Sequence, residues 1–317
     1  MDLNLPIFDQ VSDCKNLLIA GMGGGFDVFC GLPIYFELQR RGINVHLANY
    51  SFSNIETLKK GIRLTDTLVG VTTEIDGHFV YFPELYLTQW FKAKYNADVP
   101  IWCFHKTGVR PLLENYQELV DFLKLDGIIL IDGGVDSLMR GDEYEVGTII
   151  EDSISLIVVG DLKDVPVRLI ACIGFGAERD MAYEQVLGNI ATLAKTDAFL
   201  GSCSLMKQME VYQDYESAVL TVQGQPHQDA SVINSSIISA VRGEFANHHL
   251  TDKTAGSRLW ISPLMPIYWF FDLPPVARRT LLYSALRYTD TFQDAWRAML
   301  QFLQKTPKRR PSRIPLP

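Results

Sequence analysis

Cysteine is sparse in this chain of 317 residues, and no two cysteines form a C-x-x-C pair. Cys14, Cys30, Cys103, Cys172 and Cys203 are scattered, and the last three sit in or at the end of apolar runs. This argues against a disulfide framework or a zinc site, and favours buried thiols in a reducing compartment. Long apolar runs are missing too: none reaches the roughly 18 residues that a bilayer span needs. The nearest, Leu264 to Phe271, is short and interrupted by Pro266. The opening MDLNLPIFDQ has neither a positive region nor an apolar core, so it does not read as a signal peptide. The expectation is a cytoplasmic protein with no membrane partner.

Positive charge is also scarce. Lys and Arg number 29 against 37 Asp and Glu, for a net charge of −8. Five of the basic residues (Lys305, Lys308, Arg309, Arg310, Arg313) crowd into the final KTPKRRPSRIPLP, so the remaining body is more acidic still. Such a body repels phosphate backbones, which argues against a nucleic-acid partner. The Pro-rich basic segment 305–317 is expected to be a disordered tail. No G-x-S-x-G elbow, Walker loop or H-E-x-x-H occurs, so serine hydrolase, P-loop NTPase and zincin are disfavoured.

What the chain does have is alternation. Lys15 to Ala20 is an apolar run ending at Gly21-Met22-Gly23-Gly24-Gly25, a buried strand feeding a glycine turn. A helix is predicted over Val28 to Arg41 with Pro33 in its first turn, then a strand from Ile43 to Ala48. Strands follow at 99–104, 127–131, 167–173 and 198–200, with helices at 112–123, 183–194, 231–245, 276–288 and 291–304. This pattern predicts an α/β fold, Rossmann-like, with a mostly parallel sheet and helices on both faces. One domain is expected over 1–304, with 51–98 an insertion or an antiparallel pair.

In open parallel sheets ligands bind beyond the carboxyl ends of the strands, so the post-strand residues form one candidate set. Gly21, Gly23, Gly24 and Gly25 form a loop whose backbone N–H groups could approach a phosphate or carboxylate. The loop departs from the dinucleotide fingerprint: Phe26 replaces the third glycine, and strand two ends in Asn49 rather than an acid, which disfavours NAD or FAD. Asp27 reads either as a helix cap or as a group for a metal, a ribose or a proton. Asp132-Gly133-Gly134-Val135-Asp136-Ser137 is the second landmark. With Asp142 and Glu143 it places four carboxylates within twelve residues, which suits Mg²⁺, an acid/base pair or a polyhydroxylated ligand. Asp132 and Asp136 are the metal candidates, and Asp27, Asp136 and Glu143 the catalytic ones. A solvated acidic turn is the plain alternative.

His105, Lys106 and Arg110 could hold an anionic group, or form an ordinary surface cluster. Glu178, after the glycine turn at 174–176, is a further candidate. The expectation is therefore an enzyme acting on a nucleotide or phosphorylated metabolite. The alternatives are a non-catalytic binding or regulatory protein and, more remotely, ATP-pyrophosphatase-like chemistry, since DGGVDS differs by one residue from the SGGxDS pyrophosphate loop. The partner is a small molecule, and a homo-oligomer is left open.

GMGGGFDVFCGLPIYFELQRRG and IDGGVDSLMRGDE together resemble the family catalogued as domain of unknown function 1152. The resemblance implies functional weight at Gly23, Gly24, Gly25, Asp27, Gly133, Gly134, Asp136, Ser137, Leu138, Gly141 and Glu143. It implies no particular reaction.

Overall fold

The computed structural model describes residues 7–77 and 79–310. Nine strands form one sheet: β1 Asn16–Gly21, β2 Asn44–Tyr50, β3 Ile62–Thr65, β4 Leu68–Val71, β5 Ile101–Phe104, β6 Gly127–Gly133, β7 Val167–Ile173, β8 Phe199–Ser204 and β9 Ile267–Asp272. Their order is β3-β4-β5-β2-β1-β6-β7-β9-β8. The inner five, β5 to β7, are mutually parallel. The flanks are antiparallel, so the sheet is mixed, not purely parallel. β9 was not anticipated as a strand, yet it inserts between β7 and β8.

The helices are α1 Phe8–Val11, α2 Asp27–Cys30, α3 Leu32–Arg40, α4 Pro83–Tyr95, α5 Val109–Leu123, α6 Ile150–Asp161, α7 Tyr183–Ala194, α8 Glu210–Gln223, α9 Val232–Arg242, α10 Leu273–Arg279, α11 Tyr283–Leu286 and α12 Phe292–Lys305. Alternation along β1 explains why they form two layers. Leu17 and Ile19 point into a core with Phe29, Leu32, Tyr215 and Ile237, while Leu18 and Ala20 point into one with Leu112, Tyr116, Ile157 and Leu282. A strand buried on both faces reads as a continuous apolar run, as LLIA does. Each fully buried Leu or Ile contributes about 1.5–3 kcal/mol.

The expected helix at 28–41 is divided at Gly31. A Cβ there would lie 2.5 Å from Ile19 Cγ2 and 3.0 Å from Ile131 Cγ1, so glycine lets α2 lie against β1 and β6. Pro33 falls in the first turn of α3, where its missing N–H costs least. Segment 51–98 supplies the antiparallel pair β3–β4, plus α4. The expected 276–288 helix is interrupted at Thr280 between α10 and α11. Residues 305–310 depart from the expected disordered tail: Lys305 ends α12, and Arg309 is tied back to the body by its backbone and its guanidinium. The rest of that segment lies outside the described residues. Among the described residues no helix is long and apolar enough to cross a membrane.

Candidate functional site

The inner sheet reverses its direction of growth between β1 and β6. The chain moves outward to β2 and β5 on one side, then restarts at β6 and moves to β7 on the other. Loops leaving β1 and β6 therefore part at their carboxyl ends and leave a crevice. Into it project Asp27 from the first turn of α2, Asp132 from the end of β6, Asp136 from the turn after it, Asp152 from the first turn of α6, and Glu178 from the loop after β7.

Asp132, Asp136 and Asp152 are buried, and one carboxylate oxygen of each lies within 4.8 Å of the others. Asp27 and Glu178 are partly exposed. Four glycines make room for the group. A Cβ on Gly23 would lie 2.6 Å from Asp27 Oδ2 and 3.1 Å from both oxygens of Asp152. One on Gly133 would lie 2.6 Å from Asp27 Oδ1, one on Gly134 2.6 Å from the Glu178 carboxyl carbon, and one on Gly147 3.2 Å from Asp136 Oδ2.

Hydrogen bonds fix most of these carboxylates. The Gly23 N–H donates to Asp27 Oδ2 at 2.7 Å. Ser137 donates to Asp132 Oδ2 through both its N–H and its hydroxyl. Thr148 does the same for Asp136 Oδ2, at 3.0 and 3.1 Å. The Val135 N–H donates to Glu178 Oε2 at 2.8 Å. Asp152 differs: its Oδ1 is buried with no partner. Burial first, and then the negative charge of the neighbours, pushes Asp132, Asp152 and Glu178 well above the ordinary carboxylate range. Burial raises Asp27 and Asp136 too, although the hydrogen bonds from Gly23 and Thr148 oppose it.

The glycine loop does not present itself as an open anion cradle. The Gly23 N–H is spent on Asp27, and α2 has a single turn. Gly25 gives its carbonyl to Asn49, whose amide also donates to the buried Glu84, and a side chain on Gly21 would run into Asn49. Gly24 has φ +95° and lies under Phe52, so only glycine fits without strain. Ser137, expected on a ligand, is engaged with Asp132.

The expected positive trio is dispersed. Lys106 reaches the site, 2.6 Å from Glu151 and over the rings of Phe52 and Phe292. His105 lies 3.5 Å from Glu56, and Arg110 pairs with Asp290. Glu143 does not join the cluster. It accepts from the Arg140 and Gly141 N–H groups, from Asn189 and from Arg309 at 2.6 Å, which makes it a structural anchor.

The sequence reading missed Glu151 and Asp152. The available signal was an acidic pair opening the apolar run ISLIVV, a helix-start pattern. Two cavities open beside the crevice and meet at Phe52. One of 440 Å³ is lined by Gly23, Lys106, Gly147, Thr148 and Glu151, and another of 490 Å³ by Gly25, Tyr81, Ser231 and Lys253. A cleft of 590 Å³ bordered by Arg40, Cys203 and Tyr268 shares no residue with the carboxylates.

A family model described as "Protein of unknown function (DUF1152)" matches residues 86–306, which include the carboxylates from Asp132 to Glu178 and begin after the glycine loop. No curated protein and no solved structure matches the chain.

Proposed function

The chain belongs to the DUF1152 family, and from its geometry we propose that it is an enzyme acting on a nucleotide or phosphorylated metabolite at the carboxyl edge of the sheet. The observation that carries this reading is the convergence of five carboxylates from four separate segments on the crevice between β1 and β6. The order β5-β2-β1-β6-β7 supports reading the core as Rossmann-like, and in such a core this crevice would be the ligand position. A fold spends burial and repulsion on such a group when function needs it, because ionised carboxylates in low dielectric are costly.

Lys106 supplies the positive charge at the rim, where an anionic group of the ligand would enter the 440 Å³ cavity. Asp136, buried and oriented by Thr148, is the residue best placed to act on the bound molecule. Phe52, nearly half exposed between the two cavities, offers a flat apolar face to a nucleobase or sugar. The pyrophosphate-loop alternative has less support, since the Ser137 and Val135 N–H groups that would bind phosphate are engaged by Asp132 and Glu178.

Native mass spectrometry of freshly purified protein, with thermal shift against nucleotides and sugar phosphates, tests the reading. The expected result is a co-purifying phosphorylated molecule or a saturable shift, followed by its turnover. A ligand recovered unchanged under all conditions would favour a non-catalytic regulatory protein. No mass and no shift across the panel would overturn both.

A further inference from the structure

We propose that Asp132, Asp136 and Asp152, joined at the open side by Asp27, form a binding site for one hard divalent cation of the Mg²⁺ or Mn²⁺ class. The inference deepens the enzyme reading, because a cation would reconcile an anionic ligand with an acidic crevice, but it stands on separate observations.

Asp152 is the first. It is 3% exposed, its Oδ1 has no hydrogen-bond partner, and the same side chain supplies an oxygen within 4.8 Å of Asp132 and Asp136. A buried acceptor left unsatisfied is costly, and here it faces other acceptors. Only a proton or a cation turns that arrangement into an attractive one. Among the described residues no side-chain cation is paired with Asp27, Asp132, Asp136 or Asp152, and Lys106 is taken by Glu151.

The supporting hydrogen bonds are the second. Ser137 holds one oxygen of Asp132 and Thr148 one oxygen of Asp136, the way outer partners orient the carboxylates of metal sites. The glycines are the third. Side chains at Gly23 or Gly147 would fill the space beside Asp152 and Asp136, and both residues also line the 440 Å³ cavity, which gives a cation its path in from solvent.

The donor set selects the ion. Carboxylate oxygens alone suit hard cations, whereas zinc would call on thiolate or imidazole. Cys30 and Cys172 are close by, but Cys30 is bonded to Asn234 and Cys172 to Ser137.

The experiment uses the full chain, stripped with chelator and titrated with Mn²⁺ alone, read by calorimetry and by the electron paramagnetic signal of free Mn²⁺. We expect one saturable site per chain, competition by Mg²⁺, and a raised thermal midpoint. Asp152→Asn should weaken Mn²⁺ binding by about 10–100-fold or more, while the metal-free variant melts at or above the temperature of the metal-free parent, because a repulsive buried charge is gone. Ser137→Ala, which leaves every proposed ligand in place, should weaken binding by less. The inference is overturned if millimolar Mn²⁺ and Mg²⁺ show no saturable binding, or if Asp152→Asn binds Mn²⁺ as tightly as the parent. It is also overturned if the metal-free variant is markedly less stable, since Asp152 would then be serving a protein partner. Mn²⁺ binding with no substrate found would leave this site standing and count against the enzyme reading. Turnover that chelator does not affect, in a chain that binds no Mn²⁺, would do the reverse.

Discussion

The Glu143 carboxylate accepts from two backbone N–H groups, from Asn189 and from Arg309, and those contacts decide its chemistry. Burial raises its pKa, but the hydrogen bonds from Asn189 and from the Arg140 and Gly141 N–H groups outweigh it and hold the group below its ordinary 4.5. A carboxylate depressed in the folded state stabilises the fold at pH values above its unfolded pKa. That contribution is lost as pH falls through the folded pKa. Glu143→Gln should therefore be destabilised at neutral pH by about 2–3 kcal/mol. The gap between variant and parent, read from urea midpoints, should close as pH is lowered below 4.5. A gap independent of pH would show that packing, not charge, is at stake. Asp152 is equally buried and has no such partners, so two acidic residues that look alike in sequence carry opposite roles.

Two helical glycines show how the surroundings of an element reverse a local preference. Gly188 lies on the exposed face of α7, and a Cβ there would meet nothing within 4 Å. Gly160 lies in α6, and a Cβ there would sit 2.7 Å from the Cβ of Ala277 in α10. Alanine gains about 1 kcal/mol of helix propensity at either site. Forcing two packed helices apart costs about 1–3 kcal/mol, so at Gly160 the clash wins. Thermal melts should show Gly188→Ala stabilised and Gly160→Ala destabilised, with Ala277→Gly restoring part of the loss. Equal effects of both substitutions would mean that α6 and α10 are not packed as described. The same crowding explains why α6 escaped the sequence reading. It is buried along nearly its whole length, so ISLIVV shows no polar face and none of the period that marks an amphipathic helix. β9 was passed over for a related reason, as an apolar run weighed for a membrane and not for the sheet.

At the scale of the molecule, the end of the described chain closes over the loop after β6. The Arg309 N–H donates to the Asp142 carbonyl, its guanidinium to Glu143 and Asn189, and its carbonyl accepts from Gln185. A chain ended at Thr306 should lose about 2–4 kcal/mol of stability, chiefly because Glu143 loses its cation. Denaturant unfolding should give the same result for Arg309→Ala as for the truncation. If the truncation unfolds like the full chain, the closure contributes nothing. The basic composition of 305–317 predicts none of this, since composition speaks of solubility and not of a partner far away in the chain.

By itself the sequence determined the local pieces: the strand into the glycine loop, most of the helices and strands, and the post-strand positions of Asp27, Asp132, Asp136 and Glu178. These follow from near-neighbour rules, in which apolar runs bury and glycine frees the backbone, so spacing along the chain reveals them. Only the tertiary structure decided which of those residues meet. Asp152 enters the crevice because a buried helix begins beside the glycine loop, about 125 residues after it. Glu143 and Arg110 leave it because Arg309 and Asp290 are closer. The antiparallel flank beyond β7 likewise depends on β9 crossing back between β7 and β8. Charges and strands choose partners by distance in space, and distance in space is what a sequence does not carry.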